Sequence, residues 1–300
     1  MTALLAVITV AAFGLWIPLA QLRSGTPERT RIFYVAVGNV VFAGISLLAS
    51  GASLAFGWRD FWLPLAGGVV WAGGNYCVFQ ASRKIGLARA AGTWTPLNIV
   101  VAFVWGALLF DELGGFSGAR FAILGVAFLA VVLGVLLIAG SRGEPAAQPG
   151  SSSSPSAATA RAGLLWAAGA GVLWGSYFVP AQWAAVPAQV GDFPLALGIL
   201  AGSLALALPA GEPVRLGVRA TSTLLGAGVL FGIGNLTLLG LVARVGTGTG
   251  FTIAQLSLLV NASLGIWVFR VPAPGTRQAR TVIAGIVLAG IGGGVIAMLR

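Results

Sequence analysis

The 300-residue chain contains no histidine, one cysteine and few charged residues. Without histidine there is no imidazole to act as a general base, complete a catalytic triad or ligate a metal. Cys77 has no partner for an intrachain disulfide, and its apolar surroundings make it a small buried hydrophobe. No paired acids, nucleophile elbow or metal cluster replaces the missing imidazole, so the sequence reads as neither an enzyme nor a cofactor or metal protein. Charged residues are 8% of the chain, against roughly 25% in soluble proteins, which excludes an ordinary soluble domain. What fills the chain instead is 58% hydrophobic residues and 45 glycines.

That composition suits an all-α polytopic membrane protein, because crossing a bilayer takes about 20 mostly apolar residues per helix. Apolar runs between polar breaks predict ten transmembrane helices near 3–21, 32–50, 61–82, 88–110, 121–140, 163–183, 192–209, 221–243, 248–269 and 281–299. Barrel strands would alternate polar and apolar positions, and these runs do not. The net charge of +10 comes from arginines and one lysine scattered through the breaks, which argues for membrane topology over nucleic-acid binding. Thirteen of these residues fall in one set of alternate breaks and four, Arg59, Arg120, Arg244 and Arg300, in the other. Positive loops stay in the cytoplasm, so both termini are expected outside, in a cytoplasmic (inner) membrane. No basic residue precedes the first helix and Arg23 follows it, unlike a cleavable signal, so it is expected to remain as a span.

The segment 141–162, rich in Gly, Ser and Pro, is expected to be a flexible cytoplasmic tether between a first repeat, 1–140, and a second, 163–300. Displacing one half on the other by 160 positions brings Trp71-Ala72-Gly73-Gly74-Asn75 onto Phe231-Gly232-Ile233-Gly234-Asn235. In each copy Gly-Asn is followed by ten residues and a turn glycine, Gly86 or Gly246. Trp16-Ile17-Pro18 and Phe178-Val179-Pro180 echo each other more weakly. Five spans per half make the copies opposite in orientation, a 5+5 inverted repeat whose substrate site belongs near the membrane midplane. The third and eighth spans are expected to line that pathway.

The run from Gly74-Asn75 through Gly86-Leu87-Ala88-Arg89-Ala90 to Trp94-Thr95-Pro96-Leu97-Asn98 and Gly106 resembles the third and fourth helices of the drug/metabolite transporter superfamily. It is most similar to the glucose/ribose porter type of sugar transporter. Trp174-Gly175-Ser176 with Val179-Pro180, and Ala254-Gln255-Leu256-Ser257 with Asn261, resemble that family's sixth and ninth helices. The family often has a lysine after the proline of its first and sixth helices, where this chain has Gln21 and Gln182 nearby. The resemblance implies a secondary transporter of a sugar; export of amino acids, drugs or other metabolites is the alternative.

Polar residues within spans need a reason. Glu28, Asp60, Asp111, Glu112, Glu144, Asp192 and Glu212 read as break or helix-end residues, leaving only amides inside the spans. The candidate substrate-binding residues are Trp71, Asn75, Trp94, Asn98, Trp174, Tyr177, Asn235, Gln255 and Asn261, with Asn39 a further buried amide. Amides donate to and accept from hydroxyls, and flat rings cover the apolar faces of a sugar; the same residue types also bridge helices or anchor at the interface. With no acid inside a span, the sequence predicts a neutral or zwitterionic substrate. Asp111 and Glu112 are candidates for gating or coupling, with helix capping as the other reading. Gly292-Gly293-Gly294 offers a small-residue face for a second copy, a possible homodimer, or for a neighbouring helix. The expected partners are thus a small-molecule substrate and the lipid bilayer.

Overall fold

The computed structural model describes the chain apart from Ser24, 53–55, Gly86, Phe116, 142–156, 208–214, Phe269, Val271 and Arg300. Glu144, Arg142, Glu212 and most of the expected tether lie outside the described residues. Among the described residues twelve helices run in order: α1 (Thr2–Gln21), α2 (Glu28–Ala49), α3 (Trp58–Ile85), α4 (Leu87–Leu109), α5 (Gly118–Ser141), α6 (Ala157–Trp174), α7 (Val179–Trp183), α8 (Ala188–Ala207), α9 (Val218–Val245), α10 (Thr247–Gln255), α11 (Ser257–Trp267) and α12 (Arg277–Met298). Eight helical segments are long and apolar enough to cross a membrane, two of them formed by the consecutive pairs α6–α7 and α10–α11; α4 contributes a shorter apolar stretch, Thr93–Leu109. On α5, Val126, Leu129 and Leu133 form an exposed stripe at helical spacing, as a lipid-facing surface requires. The chain is a multi-pass membrane protein.

Three expectations are corrected. Residues Ala157–Ala162, assigned to the tether, are the first turns of α6, because this Ala-rich stretch has the propensity to extend the helix. The sixth and ninth spans are each broken. Pro180 has no N–H to continue the helical ladder; it sits in the first turn of α7, and Val179 N–H turns back to Ser176 O at 3.0 Å. The second break lies at Leu256, whose N–H bonds Ile253 O at 3.0 Å. The third correction concerns Asp192, taken up with the site below.

The helices divide into two compact units that cut across the sequence halves. Unit 1 holds Met1–Gly73 and Ser176–Asn261. In it α1 and α2 pack on α9, α8 packs on α2 and α9, and α10 packs on α9 and α1. A Cβ on Gly38 would strike Leu225 O and Gly228 Cα, and one on Gly228 would strike Val35 O and Asn39 N. Displaced by 160 positions, the same interlock joins α3 and α8: Gly198 lies on Leu65 O and Gly68 Cα, and Gly68 on Leu195 O and Ile199 N. Only glycine lets two backbones approach this closely. Gly246, with φ 87°, makes the turn from α9 into α10 that its position suggests.

Unit 2 holds Gly74–Gly175 and Ala262–Arg300. Here α5 packs along α12, and α4 packs on α5 and α6. Gly134 lies against Gly285 O and Ala289 N, and Gly292 against Ala127 O and Val131 N, so Gly292 serves packing on α5. Gly294, by contrast, faces open space. Cys77 is buried in the unit 2 core with Val78, Ala81, Ala90, Trp94 and Ala167.

Candidate functional site

In unit 1 the site grows from α9. Phe231 and Asn235 are four residues apart and so share one helix face. Phe231 is the hub of an aromatic cluster, with ring centroids 4.9 Å from Trp71, 5.0 Å from Trp16 and 5.9 Å from Phe13, all tilted. One turn on, Asn235 is 1% exposed and its Oδ1 accepts a 3.1 Å hydrogen bond from the Tyr177 hydroxyl. Tyr177 stands in the interruption between α6 and α7, so the broken helix presents the phenol to α9. Asn39 on α2 is fully buried, and its Oδ1 would lie 2.8 Å from a Cβ on Gly232.

These amides are incompletely used. Neither Asn39 Nδ2 nor Asn39 Oδ1 has a hydrogen-bond partner in the protein, nor does Asn235 Nδ2. A buried polar atom left unpaired costs about 1–3 kcal/mol, so the three together are a sizeable unmet demand for hydroxyl or carbonyl groups. Elsewhere in unit 1, Thr9 donates to Thr237 Oγ1 at 2.8 Å, and Thr247 donates to Gln182 Oε1. Phe178 stacks on Phe251 at 4.7 Å, fixing α7 against α10. The result is a rigid wall of rings beside amides with free donors and acceptors.

Unit 2 gathers other candidates. Trp94 and Trp174 meet edge to face at 5.9 Å, and Trp174 lies over Gly74, where a Cβ would come within 2.5 Å of the indole Cδ1. Asn98, one turn after Trp94, is buried with Oδ1 unpartnered, and Asn75 is buried as well. Asn75 thus belongs to unit 2 and Asn235 to unit 1. Gln255 is half-buried at the end of α10, beside the break, and Asn261 is half-buried in α11. Asp111 is exposed just past α4 with φ 48°, and Glu112 N–H bonds Gly106 O at 3.1 Å, an arrangement that closes the helix end.

Asp192 overturns the expectation that no acid enters a span. Pro187 opens α8 by accepting from Val190 N–H and Gly191 N–H, both at 2.9 Å, so the helix starts a turn earlier than hydrophobicity alone suggests and encloses Asp192. A proline at a helix start is the signal that could have placed it. Asp192 is 1% exposed, and neither carboxyl oxygen has a hydrogen-bond partner. Phe13 was also missed as a site residue, although its spacing from Trp16 puts both rings on one face of α1.

Comparison with known proteins bears on this arrangement. The model of the Sugar transport protein family matches residues 4–299. The chain is 26% identical over 283 residues to the protein named for ribose uptake, RbsU, of Lactiplantibacillus plantarum, covering 92% of this chain and 91% of that one. It is 25% identical over 249 residues to the protein named for glucose uptake, GlcU, of Staphylococcus epidermidis, covering 83% and 80%. A crystal structure of another protein, 20% identical, superposes with a TM-score of 0.72 over 99% of this chain and 97% of that one, and shares the fold.

Proposed function

Because the chain belongs to the sugar transport protein family, we propose that it is a secondary transporter carrying a neutral pentose or hexose across the cytoplasmic membrane by alternating access. The observation that carries the substrate reading is the amide set of unit 1: Asn39 and Asn235 keep unpaired donors and an acceptor beside the Phe231 ring cluster. A sugar offers hydroxyls to the first and an apolar ring face to the second. The names of relatives, for ribose and for glucose, agree with that chemistry. Trp94, Asn98 and Trp174 supply a second group of the same type.

The architecture we infer is ten spans in a 5+5 inverted repeat, with both termini outside. The repeated glycine interlock supports it: Gly38–Gly228 answers to Gly198–Gly68. The two broken spans, interrupted at Tyr177 and beside Gln255, suit a transporter because discontinuous helices bring backbone and side chains to a midplane site.

Uptake of radiolabelled ribose and glucose into proteoliposomes tests the reading. Asn39→Ala and Asn235→Ala should each lower flux severalfold in protein that stays monodisperse. Flux undiminished in both, or transport of amino acids or drugs with none of sugars, would replace it with the exporter alternative. Reporter fusions at the C-terminus test the topology, and a cytoplasmic C-terminus would reverse the assigned orientation.

A further inference from the structure

Resting on that reading, we propose that the Asp192 carboxyl is the group that takes up and gives back a proton in each transport cycle. It lies one turn inside α8, 1% exposed, with both oxygens unpartnered. It is too far into the helix to cap it, since the N–H groups of Val190 and Gly191 already go to Pro187 O. An ionised carboxylate with neither water nor a partner is strongly disfavoured, so the neutral acid is the form that fits this conformation. The position is also asymmetric: by the displacement that superposes the glycine interlocks, Leu195 answers to Val35, so Asp192 answers to the apolar Ile32.

Among the described residues, no hydrogen bond or ion pair sets a counter-charge on Asp192. Gly191, the preceding residue, packs on Val186 and Pro64. On α3, Arg59 lies over the Trp183 ring at 5.9 Å, and Asp60 shares that first turn. On α9, Arg244 Nη1 turns to Gly240 O near Ala188, and Arg219 lies at the other end beside Arg23. On α2, Arg29 reaches Leu206 O at the far end of α8, Arg31 pairs with Glu28, and Tyr34 follows. Tyr177, the donor to Asn235, belongs to the same unit as Asp192. In the step itself the carboxylate oxygen accepts one proton from water on one side of the membrane and releases it to water on the other, with the sugar bound in between; no electron moves.

The test uses full-length protein in liposomes carrying an internal pH dye, with labelled ribose and glucose as probes. In wild-type protein an imposed pH gradient should drive accumulation, and sugar entry should move protons. Asp192→Asn should lose accumulation and proton movement while retaining exchange of labelled for unlabelled sugar; Asp192→Glu should keep coupling with a displaced pH profile. Sugar exchange indifferent to the pH gradient in wild-type protein, or gradient-driven accumulation intact in Asp192→Asn, would overturn the proposal and leave the sugar reading standing. Absence of any sugar exchange in wild-type protein would overturn that reading and the proposal with it. Competition by glucosamine that disappears in Asp192→Asn would make the carboxylate a counter-ion for a cationic solute and overturn the proton role. If Asp192→Asn does not fold, carbodiimide labelling of wild-type protein decides: an adduct on Asp192 favoured at low pH supports the proposal, and none at low pH overturns it.

Discussion

In unit 1, Phe231 touches three other rings and is followed by an asparagine hydrogen-bonded to Tyr177, whereas in unit 2 Trp94 and Trp174 make an edge-on pair beside a tryptophan-bearing helix face that ends in Asn98. Both units therefore place an unpaired amide atom one turn from an aromatic ring, and unit 1 adds the Tyr177 hydroxyl and the buried carboxyl of Asp192. The units also share a way of closing helix on helix, since Gly134 and Gly292 in unit 2 meet backbone as Gly38 and Gly198 do in unit 1. What differs is the polar equipment set on that common scaffold. Unit 1 therefore carries the buried carboxyl of Asp192 along with its rings and amides, while the polar groups of unit 2 include the amides Asn75 and Asn98.

The sharpest way to break the comparison is to remove its hub. Phe231→Ala deletes three ring contacts and should cost about 3–5 kcal/mol of stability, as large-to-small changes at well-packed aromatics do, with sugar flux falling further than in Trp94→Ala. Thermal midpoints in detergent and flux in liposomes measure both; equal flux losses would erase the distinction between the units. Next in size is the scaffold. Gly198→Val in unit 1 and Gly134→Val in unit 2 each drive a side chain into backbone, and overpacking of this kind costs about 1–3 kcal/mol. Size-exclusion profiles should show comparable losses of folded protein, and a harmless change at either would mean that its helix pair has room.

Tyr177→Phe is smaller and more specific. It removes the donor to Asn235 Oδ1, a net contribution of about 0.5–1.5 kcal/mol, so the apparent KM for sugar should rise by up to about tenfold with a modest loss of stability. An unchanged KM would detach Asn235 from the substrate. Smallest is Gly294→Ala on α12, where a Cβ meets nothing. The change should be neutral or stabilise by up to about 1 kcal/mol, because alanine suits a helix better than glycine; a marked loss would show that a second copy covers that face.

The sequence carried the class of the molecule and the positions of its helices, because a continuous apolar run of helix length is a local property that bilayer thickness makes readable. It also showed which rings and amides share a helix face, as Phe231 and Asn235 do, since one-turn spacing fixes a shared face. Its errors came where neighbours decide. Hydrophobicity alone put Asp192 at a helix end, while Pro187 starts α8 a turn earlier and tertiary packing buries it. Of the two roles open to Gly292, a second copy or a neighbouring helix, the structure shows the helix, α5. Which amide gains a tyrosine partner, which keeps unpaired atoms and which rings gather on Phe231 are long-range facts, set by contacts between residues up to more than 200 positions apart. A polar side chain's partners are fixed only when helices distant in sequence close around it, and so the span map could be read from the chain while the chemistry of the site waited for the tertiary structure.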